Sequence, residues 1–235
     1  MSWTFKAPWW GSALVTLACL GMGALGVWQL QRAADKEARL ALYAAADQQT
    51  PRTVQAGSFA DPERIERARI RGQFDVSRQL LLDNQSQDGR PGLHVWTPVL
   101  IADGSIVVVD RGWVPQRGDR TPLADLAAPA GEVELLGYWR TLPAPGLRTE
   151  ADNCAAGPWP RIVQYPTPAD LQCLYGEFAA EGLFLLDPTA PGGYSRQWTT
   201  APELSPRKHY GYAVQWFALA LTLAGLFIKF NLRRA

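Results

Sequence analysis

HYGYAVQWFALALTLAGLFIKF, from His209 to Phe230, decides how the rest of the chain is read. Between Tyr210 and Ile228 it holds 19 residues without Asp, Glu, Lys or Arg. An apolar, uncharged run of about 20 residues crosses a bilayer core as a helix. A second run, 25 residues from Ala7 to Gln31, has the same property at the other end of the chain. Trp9, Trp10 and Trp28 bracket that run; Tyr210, Tyr212 and Trp216 crowd the start of the other. Aromatic rings with a polar edge favour the headgroup level of a membrane. A helix buried in a soluble core is the alternative, but neither run shows a polar face. Lys6 and the small residues Ala24 and Gly26 also fit a cleaved signal peptide. The run is longer than the about 7–15 residues of a signal core, so it reads as an uncleaved anchor. Gly21, Gly23 and Gly26, with Ala220 and Ala224 on the second run, would let two helices approach closely.

Working outward, the charge is segregated. All 22 acidic residues lie between the two runs, and the tails hold only Lys6, Lys229, Arg233 and Arg234. The basic C-terminal tail outweighs Arg207 and Lys208, which points it to the cytoplasm. Arg32, Lys36 and Arg39 after the first run argue the other way, but a long middle segment translocates largely regardless of charge. The expected organisation is a cytoplasmic tail at 1–10, a membrane helix at 11–31 and an outer domain at 32–209. A second membrane helix at 210–228 and a cytoplasmic tail at 229–235 complete it.

Arg32 to Gln49 is rich in helix formers and has no Gly or Pro, so it continues the first membrane helix into water. After Pro51 the texture changes. ARIRGQF, RQLLLDN, LHVWTPVLI, SIVVVDRGWV, EVELLGYWR, PRIVQY and LFLLD are short runs of branched and aromatic residues separated by Gly, Pro, Asp and Asn. That is the pattern of strands joined by turns. Ala102-Asp103-Gly104 is a hairpin signal, and Pro168 opens a short helix. The fold expected is an α+β membrane protein, two transmembrane helices flanking a mostly antiparallel β domain, open or partly closed as a barrel.

Chemistry is sparse. There is no glycine-rich phosphate loop, Cys-x-x-Cys or His-Glu-x-x-His, and two histidines assemble no Ser-His-Asp set. The pattern of LHVWTPV places His94 on a strand, as a structural or surface residue. The loops DNQSQDGRPG and DRGWVPQRGDR are dense in residues that satisfy backbone groups at turns. A structural role suits them best, with a partner surface as the other reading. Cys19 is a packing residue of the first helix. Cys154 and Cys173 either pair in an oxidising compartment or stay as thiols. His209, Tyr212 and Trp216 share one helix face, with Gln215 to the side. Two readings are open there: an aromatic belt with one interfacial histidine, or an axial haem ligand with an indole against the porphyrin.

These segments together resemble the Surfeit locus protein 1 family of cytochrome c oxidase assembly factors. The resemblance runs through GVWQLQRAADK, LLLDNQSQDGRPGLHVWTPV, VVVDRGWVP, GPWPRIVQ, LLD and RKHYGYAVQWFALALTL, in that order. It implies a bacterial inner-membrane protein, its β-rich domain periplasmic, that assists maturation of the haem-bearing oxidase subunit. It implies haem A as a transient cargo, with His209 on the iron and Trp216 two turns deeper. Expected partners are the oxidase catalytic subunit, haem A synthase and the lipid bilayer, with no nucleic acid. The role is chaperoning, not catalysis, and no catalytic residue is expected. The alternative is a scaffold that stabilises the nascent subunit and never touches haem.

Overall fold

The computed structural model describes residues 3–55, 57–58, 60–144, 152–199 and 205–234. Met1, Ser2 and Ala235 of the expected tails lie outside them. The chain forms two compact units. One joins the N-terminal stretch through Ala41 to the C-terminal helix; the other begins at Leu42.

The first unit is a helix pair. Helix α1 runs Trp9–Asp47, one continuous element as the composition of Arg32 to Gln49 predicts. Helix α3 runs Pro206–Asn231 and starts at a proline, where a missing N–H costs nothing. At 1.5 Å per residue they are about 58 and 39 Å long, each enough for a bilayer core. Only 6% of the most apolar stretch of each helix is buried within the protein. That excludes the core helix of a soluble domain and fits helices that face lipid.

Among the sheltered positions of α1, Val15, Cys19, Met22, Gly26, Gln29 and Ala33 follow one seam. On α3 a matching set is His209, Ala213, Trp216, Ala220, Leu223 and Phe227. Both sets alternate steps of three and four residues, the spacing of left-handed helix packing. Of the glycines expected to admit a partner, Gly26 does so, against Phe217; Gly21 and Gly23 face open space. Cys19 Sγ lies 3.5 Å from the Ala220 carbonyl oxygen. At the far end strands β1 (Trp3–Phe5) and β10 (Leu232–Arg234) pair antiparallel, so both tails leave the pair at the same end.

The second unit contains β2 (Arg52–Thr53), β3 (Glu66–Phe74), β4 (Leu80–Gln87), β5 (Arg90–Ile101) and β6 (Ile106–Pro115). After these come β7 (Glu132–Arg140), β8 (Arg161–Val163), helix α2 (Pro168–Tyr175) and β9 (Leu183–Leu186). Every strand-like run of the sequence is a strand. The hairpin at Ala102–Gly104 joins β5 to β6, with Gly104 at φ +83°. The β4–β5 hairpin turns on Asp88 and Gly89, both at positive φ, as a two-residue turn between twisted strands requires.

The order β3-β7-β9-β6-β5, with β3 also paired to β5, closes a five-stranded barrel. Strand β5 makes closure possible because it is 12 residues long. Its first half pairs with β4 and its last three residues, Val99–Ile101, with the end of β3. Gly72 stands at that seam, where a Cβ would collide with the Leu100 carbonyl oxygen. Strand β3 alternates strictly, with Ala68, Ile70 and Phe74 inside and Arg69 and Arg71 outside. Ile70, Val99, Val107, Leu135, Trp139 and Phe184 fill the barrel. A second cluster covers the outer face of β4, β5, β6 and β9: Leu82, Trp96, Val108 and Leu185 pack with Leu171 and Tyr175 of α2 and with Tyr43 and Ala46. Strand β6 is therefore buried on both faces, which explains its unbroken apolar run.

Candidate functional site on the helix pair

His209 sits in the first turn of α3, half-buried in the seam, and Trp216 lies two turns further on the same seam. Tyr212 parts from them: it is 52% exposed and turns outward. A seam of alternating three and four steps selects positions 209, 213 and 216, which is why the step from 209 to 212 leaves it. The sequence pattern foresaw a shared face for all three, and packing splits it.

Across the seam, His209 Nδ1 is 2.7 Å from Oε1 of Gln29 on α1. An amide oxygen only accepts, so the contact is a hydrogen bond when Nδ1 carries a proton. One turn before His209's level on α1, Gly26 leaves room for the Phe217 ring. Two turns beyond Gln29, Glu37 accepts a hydrogen bond of 2.9 Å from the Tyr210 hydroxyl. The end of the pair away from the tails is thus its polar end. Gln29 belongs to the stretch GVWQLQRAADK, where no spacing rule singles it out. Its only sequence signal is an amide at the close of an uncharged run.

The donor set has a clear chemical character. A single imidazole, with an indole two turns further along the same seam, is what an axial ligand would bring to an iron whose equatorial ligands come with a porphyrin.

The other motifs resolve into structure. Asp110, 3% exposed, holds His94 Nδ1 at 2.8 Å through Oδ2 and accepts the Gly112 N–H at 2.9 Å through Oδ1. The His94 ring lies 5.7 Å from Trp198. Arg111, 1% exposed, donates Nε to Gly192 O at 2.6 Å and Nη1 to Leu126 O at 3.2 Å, and Nη2 to Ala127 O. It also lies over the Phe74 and Tyr194 rings. Burial pulls its guanidinium below the ordinary arginine range, partly offset by Tyr194. Asp83, 2% exposed, meets Arg120 at 3.4 Å. These Asp and Arg side chains bind loops together, the structural role their density suggested. Cys154 and Cys173 form a disulfide, so the paired reading is the right one. It ties the turn after Asp152 to α2.

Two long apolar helices flanking a β-barrel unit define the class by fold: an α+β protein of membrane type. The chain belongs to the SURF1 family, whose model matches residues 16–221. That is the Surfeit locus protein 1 family, a family of cytochrome oxidase assembly factors and not of catalysts. No curated protein matches the chain.

Proposed function

We propose that this protein receives haem A from its synthase and passes it to the nascent catalytic subunit of a haem-copper cytochrome c oxidase. His209 would hold the haem iron through Nε2, and Trp216 would lie along the macrocycle. The observation that carries the reading is the 2.7 Å contact between His209 Nδ1 and Gln29 Oε1. With Nδ1 donating to Gln29, a neutral ring would offer Nε2 to the iron from a half-buried position, which suits a cargo that must be held and then released. The helix-pair geometry and family membership support this role.

The setting we infer is the bacterial inner membrane, tails cytoplasmic and barrel periplasmic. Exit of both tails at one end, the basic C-terminal tail and the disulfide in the barrel unit all support it. Alkaline phosphatase fused near residue 120 should be active, and a fusion at Ala235 inactive.

The test of the haem role is the absorption spectrum of full-length protein purified from cells that make haem A. A Soret band is expected for the wild-type protein. His209→Ala should insert and fold normally, because the apolar run from Tyr210 is untouched, yet lose most of the band. Trp216→Phe should lose less. A colourless wild-type protein would favour a scaffold that holds the subunit without touching haem. A full Soret band in His209→Ala would remove His209 as the ligand.

A further inference from the structure

Gln29 is the last sheltered polar side chain of α1 before its charged portion, Gln31 being exposed, and it lies in the seam between Gly26 and Ala33. Neither neighbour has a side-chain polar group. A carboxamide sheltered between apolar helices is costly unless it is paired. Its partner is His209 Nδ1 at 2.7 Å, between helices 180 residues apart in the chain.

We propose that Gln29 is the positioning residue of the haem-iron ligand: it selects the His209 tautomer and aims the ring. The proposal rests on the reading of His209 as that ligand. A free imidazole has two neutral tautomers, and only the one protonated at Nδ1 offers Nε2 to a metal. An oxygen acceptor at Nδ1 selects that tautomer, fixes the ring plane and makes Nε2 more basic. Such outer partners of metal-binding histidines are worth about 10–100-fold in affinity when removed. The strength of the acceptor also tunes the iron, because a more electron-rich imidazole favours the ferric state.

The experiment uses full-length protein in detergent, in two forms. In the haem-free form, ¹⁵N-labelled histidine reports the His209 tautomer by NMR, with His94→Gln identifying which signal is which. Wild type should show Nδ1 protonated. Gln29→Glu, which keeps an oxygen acceptor, should retain that tautomer; Gln29→Leu should shift it towards Nε2 protonation. In the second form, from cells that make haem A, Gln29→Leu should lose about 10–100-fold in affinity and raise the haem reduction potential. Gln29→Glu should bind haem and lower the potential. A wild-type His209 protonated at Nε2, or a Gln29→Leu variant unchanged in tautomer and potential, overturns the proposal. His209→Ala separates the two ideas. If it keeps its haem the ligand reading fails, whereas a variant that loses haem beside an unaltered Gln29→Leu leaves that reading standing and sinks only this one.

Discussion

Gly26 of α1 gives the Phe217 ring of α3 the space a side chain would fill: a Cβ there would stand 2.6 Å from the ring. The contact lies one turn from Gln29, so it governs how near α1 can bring its amide to His209. Small residues matter at membrane-helix contacts because lipid competes equally for apolar surface, leaving close packing to decide.

That relationship can be tested with the free thiol in the same seam. Cys19 Sγ is 3.5 Å from Ala220 O. A cysteine introduced as Ala220→Cys should crosslink to Cys19 on mild oxidation, read as a mobility shift without reducing agent. Adding Gly26→Val should abolish the crosslink, since the ring and the new methyl groups cannot occupy one place. An unchanged yield would mean that the helices do not meet through this seam.

Arg111 should be among the most sensitive positions of the barrel unit. Arg111→Met leaves the part-buried carbonyl oxygens of Leu126, Ala127 and Gly192 without their donor. Water can reach part of these groups, so the loss should be about 1–3 kcal/mol in all. Arg111→Lys keeps the charge but lacks the planar fork, so it should recover only part of it. Denaturant unfolding of the full chain, followed by barrel tryptophan fluorescence, measures both. Wild-type stability in Arg111→Met would exclude the bracing role.

The disulfide should be worth about 3 kcal/mol to the barrel unit. It closes a loop between residues 19 apart, Cys154 and Cys173. Mass spectrometry of unreduced, thiol-blocked protein should show one alkylated cysteine, Cys19. Cys154→Ser with Cys173→Ser should fold but melt earlier. Three alkylated cysteines in folded protein would disprove the bond.

Acid should loosen the contact between β3 and the segment after β9. Burial pushes the Asp187 carboxyl up, but hydrogen bonds from Thr189 and Arg67 outweigh it and hold the carboxyl below its usual range. A carboxyl depressed in the folded state contributes stability above its unfolded value of about 3.9. That contribution fades as the pH falls through the folded value. Asp187→Asn should therefore cost about 1–2 kcal/mol at pH 7 and flatten the stability curve below about pH 4. Parallel curves for both proteins in acid would contradict this.

Local pattern made much of the architecture legible. Two uncharged runs required two long apolar helices, because a bilayer core tolerates no unpaired charge. Alternating residues required strands, because a pleated chain shows its sides in turn. Asp103-Gly104 marked a hairpin, because few residues accept positive φ. Each of these is a property of neighbours in the chain. Closure of the barrel is not, since it depends on β5 exchanging β4 for β3 along one edge and on Gly72 admitting the Leu100 carbonyl. The disulfide was equally open until the fold brought two cysteines to a Cα separation of 6.2 Å. At the site, His209 and Trp216 stood out as an imidazole and an indole at helical spacing, while Gln29 did not. Its partner is 180 residues away, and the outward turn of Tyr212 likewise follows from which face of α3 meets α1. Periodicity reports which side of an element is apolar. Only the tertiary structure decides which element that side meets, because that choice depends on packing between segments distant in the chain.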